Sequence, residues 1–557
     1  MSRDTSWDYL IVTASNDAQA AAYEAQIRLR HSLGLLPQVR RALVSADPGG
    51  QRIGSGGATL LAIAKVLETE REQGEASPEL ALRKLRILIV HAGGDSMRLP
   101  AYGPCGKIFL PLPGPGDSPV PLTLFDRLVP AFLRLREGAP GLGQIVVAAG
   151  DALMDWDVSG LELSRPGITF LGCRATPEEA SRHGVFCLGE DSEIVWYLQK
   201  PSIAEQERAG ALTPSGEAVL DIGVLSMDAS SACVLLDVFY QGGEGAISEW
   251  IAHGGLDLYR EICCALGTRA TVEHYVTSAR AGGSTWPEEK LAAFYPGLHR
   301  LASCAHVLPY CRFLHFGSSR QLAPSGLALL ERDHGTRPAG SSVLVNNVVA
   351  ESGSVTSPDS WVEGCRISAP LELSGANVVV GLDIEEPLSL PSEACLEVVD
   401  GVDRSGRKVA FTRIYGVRDT FKDPISKGGT FCGRPILDWI AAAGVDPNEV
   451  WPDAQDPSQR TLWKARVFPA EASRGAFRRW LWMWNPAEAT GDQKRAYAAA
   501  DRYSAAEIAL LTDQHAFRWR RLENWAGQAP GAASGPAAER SSWVARVLAA
   551  AGAGRDP

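Results

Sequence analysis

Between Trp7 and about Arg300 the chain alternates short apolar runs with stretches of helical spacing. YLIVTA (9–14) leads into an Ala-, Gln- and Arg-rich helical stretch, and RILIVHA (86–92) into a Gly-rich turn. QIVVAAGD (144–151) and ITFLG (168–172) are two further runs. Short apolar runs alternating with helices predict buried, mostly parallel strands of an α/β sheet. In such sheets ligands gather at the carboxyl ends of strands, which is where the Gly-rich turns fall here.

From about Phe313 to Arg413 the pattern changes. SVLVNNVVA (342–350), WVEGCRI (361–367) and NVVVGL (377–382) are separated by Ser, Gly and Pro, with little helical spacing. Short strands this close together predict a β-solenoid or a compact β region. From about Arg434 the i, i+3, i+4 spacing returns in RPILDWIAAAG, FRRWLWMWN and YSAAEIALLTDQHAFRWRRLENW, which predicts amphipathic helices packed through their Trp residues. GQAPGAASGPAAER (527–540) reads as a linker before a short last helix. The expected organisation is an α/β domain over 1–310, a β-helix-like domain over 311–430 and a helical C-terminal region over 431–557.

The 557 residues suffice for several domains. With 45% hydrophobic and 21% charged residues, a core of normal size forms without disulfides or structural metals. The net charge of −11 argues against a nonspecific grip on nucleic acid or an anionic membrane. A polyanionic substrate must therefore be held by local Lys, Arg and backbone N–H groups. The eleven cysteines include no CxxC pair and no Cys/His cluster at zinc spacing, and Cys263-Cys264 reads as small buried hydrophobes in a helix. MSRDTSWDYLIV lacks a basic region followed by a long apolar run, and no stretch reaches the ~18 apolar residues of a membrane span. The expectation is a soluble, reduced, cytoplasmic protein.

The strongest chemical signal is RILIVHAGGDSMRLPAYGPCGKIF (86–109). An apolar strand runs into Gly93 and Gly94, followed by Ser96, Arg98 and Lys107. Glycines let backbone approach phosphate closely, and successive N–H groups form an anion-binding concavity. Arg98 offers a planar fork of donors and Lys107 a mobile positive charge, as a nucleoside triphosphate requires. A Walker A loop is excluded, because the GxxxxGK spacing and the following Ser or Thr are missing. A second Gly-rich loop, DPGGQRIGSGGATLLAI (47–63), puts Gly54, Gly56 and Gly57 at a helix entry; an anion site and a plain tight turn fit it equally.

WDYLIVTASNDAQAAAY, DPGGQRIGSGGATL, ILIVHAGGDSMRLP…GKIF, YGVRDTF and RTLWKARVFP together resemble the fucose-1-phosphate guanylyltransferase family, including the N-terminal half of bifunctional fucokinase/GDP-fucose pyrophosphorylases. The match runs over most of 7–525. The resemblance implies a Rossmann-like, GT-A type nucleotidyltransferase domain followed by a β-helix. Nothing after Gly433 resembles the kinase phosphate loop of the bifunctional proteins, so the expectation is a transferase whose sugar phosphate comes from another enzyme. The implied reaction is attack of a sugar 1-phosphate on the α-phosphorus of GTP, with guanine and fucose inherited from the resemblance. Another nucleotide, or another sugar 1-phosphate of D-arabinose or heptose type, stays open.

Such chemistry asks for alignment and charge neutralisation by Mg²⁺, Lys and Arg. Asp151, ending an apolar strand, is the expected metal ligand and matches the strand-end Asp of related transferases; Asp257 is the candidate second ligand or a helix cap. Lys200, before Pro201, resembles the Lys-Pro element that touches the sugar phosphate. LDIGVLSMD (220–228) resembles the segment walling the sugar site, where Gly223 admits the sugar. Asp221 is equally a strand-end residue, and His91 a hydrogen-bonded one. Arg418 and Asp419 read as a structural pair or turn. Asp155-Trp156-Asp157 matches the DxD of metal-dependent glycosyltransferases, the competing enzymatic reading, although two solvated loop acids fit as well. A non-catalytic nucleotide-sugar sensor is the third reading. A homo-oligomer is compatible with a β-solenoid, since these often pack against partners.

Overall fold

A computed structural model describes residues 7–75, 77–114, 118–135, 141–241, 243–336, 341–453, 456–528 and 536–552. The chain forms two compact units. The first takes residues 1–93, 128–150 and 154–313, and the second 94–127, 151–153 and 314–557.

The first unit is built on a nine-stranded sheet. Its strands are β1 (Trp7–Ala14), β2 (Val39–Ala46), β3 (Arg86–His91) and β4 (Gln144–Ala149); β5 (Ala152–Trp156) lies outside the sheet; then come β6 (Ile168–Ala175), β7 (Gly184–Leu188), β8 (Ile194–Gln199), β9 (Ala218–Met227) and β10 (Ser303–Leu308). The order is β10-β6-β9-β4-β3-β1-β2, with β7 pairing β8 and β9. β2, β1, β3 and β4 run parallel, as do β10 and β6. β9 is antiparallel to both β4 and β6, so the expected mostly parallel sheet is mixed. β7 and β8 form an antiparallel hairpin, and β7 also pairs antiparallel with β9.

Apolar strand residues, among them Ile11, Ile89, Val147, Phe170 and Leu225, form one core with the helices. The helix Asp17–Ser32 starts where the Asn16 side chain accepts the Gln19 N–H at 2.9 Å. The helix Gly54–Glu72 buries Leu60 and Ile63 in the same core. Cys263 and Cys264 are buried as expected, though in a short 3₁₀ turn, Cys263–Ala265.

After β11 (Cys311–His315), which begins in the first unit and ends in the second, the second unit continues with the helix Ser319–His334 and then three stacks of short parallel strands. One stack is β12 (Val343–Val345), β15 (Trp361–Glu363) and β18 (Val378–Val380). The others are β13 (Val348–Val349), β16 (Arg366–Ile367) and β19 (Asp383–Ile384), and β14 (Ser354–Thr356), β17 (Pro370–Leu373) and β20 (Leu388–Leu390). Trp361 faces Val343 and Val378, 18 and 17 residues away along the chain, so the backbone returns to the same place every 17–18 residues. Ile367, Ile384, Leu371 and Leu388, on the second and third stacks, are buried. β21 (Ala394–Val402) extends the first stack, and β22 (Lys408–Gly416) adds to it antiparallel.

The region after Arg434 is not purely helical. Beyond the small hairpin β23 (Thr430–Phe431) and β24 (Arg434–Pro435), β25 (Phe468–Glu471) and β26 (Arg502–Tyr503) extend the sheet from β22. FRRWLWMWN falls in a 3₁₀ helix over Arg474–Trp484, not the α-helix expected from its aromatic spacing. Phe477, Trp480 and Met483 are buried at every third position, the period of three residues per turn. Part of the 527–540 linker, residues 529–535, lies outside the described residues; the last helix is longer than expected, Pro536–Gly552. Among the described residues, no helix is long and apolar enough to cross a membrane.

Candidate active site

The segment following β3 enters the second unit at Gly94, whose φ of +120° is a conformation that favours glycine and whose Cα faces open space. Ser96 is buried with φ +53°, and its carbonyl accepts the Leu99 N–H at 2.7 Å. Two short 3₁₀ turns follow, Pro100–Tyr102 and Lys107–Phe109. These turns hold Arg98 exposed and bring the Lys107 amine to 3.8 Å from Asp151 Oδ2. The Lys107 side chain is only 19% exposed, whereas that of Asp151 is 50% exposed. Burial pulls the Lys107 amine below its ordinary pKa; Asp151 opposes that shift and Arg98 reinforces it.

Gly317, far along the chain, completes this cluster. A Cβ on it would lie 3.9 Å from both Arg98 Nη2 and Lys107 Nζ, and 3.6 Å from Gln321 Oε1. Ser318 Oγ donates to Gln321 Oε1 at 2.8 Å, and the Ser319 N–H donates to the Arg98 carbonyl at 2.9 Å. Sequence reading missed Gly317, Ser318 and Gln321. The available signal was GSS directly ahead of a helical pattern, which carries no information about which cations it meets.

In the first unit, β3 ends at His91, whose Nε2 lies 2.9 Å from Thr59 Oγ1. Burial lowers its pKa to about 4 despite the pull of Asp257, so the ring is neutral at neutral pH. The Gly93 N–H donates to Thr13 Oγ1 at 3.2 Å. Gly54, Gly56 and Gly57 open the helix Gly54–Glu72, and their described contacts are those of tight packing. A Cβ would lie 2.3 Å from the Leu256 carbonyl oxygen at Gly54, 3.0 Å from it at Gly56, and 2.9 Å from the Trp250 ring at Gly57. The Gly57 N–H already donates to Leu256 O at 3.1 Å.

Asp257 caps the single turn Leu258–Ile262, its Oδ1 accepting the Tyr259 and Arg260 N–H groups at 3.0 and 3.1 Å. Ser55 Oγ lies 3.4 Å from Asp257 Oδ2. Gly223 sits in β9 with φ +74°, and a Cβ there would lie 3.4 Å from the Tyr259 hydroxyl. Asp221 is buried within β9, not at its end; it accepts the Gly223 N–H at 2.8 Å and the Tyr197 hydroxyl at 3.0 Å. Burial raises its pKa to about 6 against those two hydrogen bonds. Lys200 is exposed, with φ +52° and its N–H donating to His183 O at 3.0 Å.

Arg98, Lys107 and Asp151 thus form one group in the second unit. Gly54–Gly57, Asp257 and Gly223 gather around the 255–260 turn in the first, and no described hydrogen bond or ion pair joins Lys200 to them. Asp157 Oδ1 accepts the Ser159 N–H at 2.8 Å in a turn, and Asp155 Oδ2 lies 3.5 Å from the Tyr310 hydroxyl. Arg418 pairs with Glu393 at 2.7 Å, while Asp419 accepts from the N–H groups of Gly416, Cys432 and Gly433 and from Thr430 Oγ1. The Arg418-Asp419 segment is therefore a turn clamp. Among the described residues, no three His, Cys, Asp or Glu side chains converge as a metal cage.

The mixed sheet of the first unit and the grouping of Arg98 and Lys107, which follow β3, with Asp151, which follows β4, define a mixed α/β protein. The chain belongs to the fucose pyrophosphorylase domain family, which matches residues 79–473. It is 29% identical over 519 residues to a bifunctional fucokinase/GDP-fucose pyrophosphorylase of Arabidopsis thaliana, covering 84% of this chain and 47% of that protein. It is 25% identical over 482 residues to an L-fucokinase/L-fucose-1-P guanylyltransferase of Bacteroides fragilis, covering 83% and 46%. A fucose-1-phosphate guanylyltransferase of Mus musculus is 26% identical over 526 residues, covering 84% of each chain. The chain spans about half the length of the two bifunctional relatives.

Proposed function

We propose that this chain is a nucleotidyltransferase that converts GTP and L-fucose 1-phosphate into GDP-L-fucose and pyrophosphate. Family membership over residues 79–473 and the activities named for the relatives support the reaction and its substrates. The observation that carries the reading is the approach of Arg98 and Lys107 to one glycine, with Asp151 beside the lysine.

In the reaction, an oxygen of the sugar phosphate forms a bond to the α-phosphorus of GTP. The bond from that phosphorus to the oxygen bridging to the β-phosphate breaks, and its electron pair leaves with pyrophosphate. The nucleophile is already anionic, so no protein base is required. The chain's task is alignment and neutralisation of charge in the transition state. We assign the planar fork of Arg98 and the ammonium of Lys107 to the triphosphate, and Gly94 and Ser96 to close backbone approach. Lys200 is assigned to the sugar phosphate and Gly223 to the sugar. Gly93, Gly54, Gly56 and Gly57 are assigned to the nucleotide.

Magnesium takes one or two carboxylates plus substrate phosphates and water, so the half-exposed Asp151 fits it without a cage. When bound, Mg²⁺ would offset the negative charge of the phosphates. Asp257 would contribute only Oδ2, since Oδ1 caps a turn.

The reading takes the sheet as a Rossmann-like, GT-A type fold and the strand stacks as a β-helix. The 17–18-residue recurrence supports the latter. It also keeps the division of the chain at about 310 and 430, and assigns the protein to the cytoplasm, in keeping with its eleven free cysteines. A pyrophosphate-release assay with GTP, ATP, UTP and CTP against fucose, arabinose and heptose 1-phosphates in Mg²⁺ tests it. GTP with fucose 1-phosphate is expected to react fastest; the absence of turnover with every pair would refute the enzyme reading.

A further inference from the structure

The segment bearing the two cations is fastened to the strand stacks of the second unit by a buried polar chain. Tyr102 lies between Arg98 and Lys107 in sequence and is fully buried. Its hydroxyl donates to Glu363 Oε2 at 3.2 Å and accepts from Trp361 Nε1 at 2.7 Å. The two rings meet edge to face, with centroids 6.5 Å apart. Glu363 is also buried, and the same Oε2 accepts from Arg521 Nη2 at 2.6 Å. Arg521 belongs to the helix Gln514–Gly527 and donates to its own helix at Phe517 O. Burial and the Glu363 carboxylate push the Tyr102 phenol well above its ordinary pKa, so it remains a donor at any working pH.

The backbone between Tyr102 and the cations has little slack. The Tyr102 N–H donates to Leu99 O at 3.1 Å, the Leu99 N–H to Ser96 O at 2.7 Å, the Gly106 N–H to Gly103 O at 3.3 Å and the Phe109 N–H to Gly106 O at 3.2 Å. A shift of Tyr102 therefore moves Arg98 on one side and Lys107 on the other.

We propose that Tyr102, gripped by Glu363, Trp361 and Arg521, is a positioning residue for the Arg98–Lys107 pair. The strand stacks and the helix Gln514–Gly527 are then part of the catalytic framework. The inference rests on the reading of that pair as phosphate-handling groups. A merely structural role would make the Tyr102 hydroxyl equivalent to any other buried tyrosine hydroxyl of this unit.

The test pairs Tyr102→Phe with Tyr497→Phe in the full chain. Tyr497 is equally buried and its hydroxyl donates to Val467 O at 2.7 Å, with no described contact to residues 94–127. Both variants should unfold at similar, slightly lowered temperatures. Tyr102→Phe alone should lower kcat for pyrophosphate release from GTP and fucose 1-phosphate, by about 100-fold if the cations shift by an ångström. It alone should speed backbone deuterium exchange across 94–109, while Tyr497→Phe keeps wild-type turnover. Unchanged exchange across 94–109 in Tyr102→Phe overturns the proposal, and so does turnover equal to that of Tyr497→Phe. An inactive wild-type protein would instead defeat the proposed reaction, and the exchange measurement would still decide the positioning.

Discussion

Replacing Lys107 by Met separates the catalytic from the structural contribution of one side chain. The amine is 3.8 Å from Asp151 Oδ2 and its side chain is 19% exposed. Met keeps the length and apolar stem and removes the charge. The ion pair contributes little to stability, because Asp151 is half exposed and solvent screens it; such pairs are worth roughly 0–1 kcal/mol. The amine also has a lowered pKa through burial. The unfolded chain therefore binds that proton more tightly, and stability rises as pH climbs from the folded pKa to the unfolded value. Below that window the buried charge is a net cost. Lys107→Met is thus expected to unfold at wild-type temperature or above it at pH 7.

Turnover should behave in the opposite way. A preorganised donor aimed at developing charge contributes about 3–4 kcal/mol, which is roughly 100- to 1000-fold in kcat. Steady-state pyrophosphate release across GTP concentrations, with thermal unfolding of the same samples, reads both quantities. In the wild type, activity should decline at alkaline pH below the ordinary lysine range, and Lys107→Arg should move that decline upward. A Lys107→Met enzyme within a few-fold of wild-type kcat, or one that lost activity only in proportion to lost stability, would refute the assignment.

Other expectations follow from the buried groups. Asp221 has its pKa raised to about 6 by burial, so the folded state holds its proton more tightly and stability falls as pH rises from about 4 to 6. Asp221→Asn, which keeps an acceptor for the Gly223 N–H, should therefore gain up to about 3 kcal/mol at pH 8 and little at pH 4 in urea denaturation. Gly54→Ala would set a Cβ 2.3 Å from the Leu256 carbonyl at φ +81°, and a loss of about 2–4 kcal/mol is expected in the same assay. His91, with its pKa lowered to about 4, should show a neutral ring in NMR titration down to pH 5; charging near pH 6.5 would contradict its buried contact with Thr59.

How far the sequence reveals the molecule depends on whether a feature is local. The apolar runs at 9–14, 86–92, 144–151 and 168–172 become strands because short unbroken runs of β-formers bounded by turn residues suit a sheet buried on both faces. Strand direction is not local: AVLDIGVLSM reads the same whether β9 runs parallel or antiparallel. Asp221 looked like a strand end because a carboxylate inside a core strand needs partners, and Tyr197 and Gly223 supply them. GSGGAT offered phosphate binding and tight packing equally, and only the approach of Leu256 and Trp250 gives its glycines a described task. Arg98, Lys107 and Asp151 could be named as candidates by residue type, but the approach of the lysine to Asp151 could not. Gly317 and the Tyr102–Glu363 connection were not legible, since each joins residues hundreds of positions apart.

The central claim is transfer of the α-phosphoryl nucleotide to a sugar phosphate. Its most direct test is one reaction run with GTP labelled in turn at the α- and γ-phosphorus, with fucose 1-phosphate and Mg²⁺. The α-label should appear in GDP-fucose and the γ-label in pyrophosphate, in equal amounts. A γ-label released as inorganic phosphate, or an α-label that never leaves GTP, would contradict it.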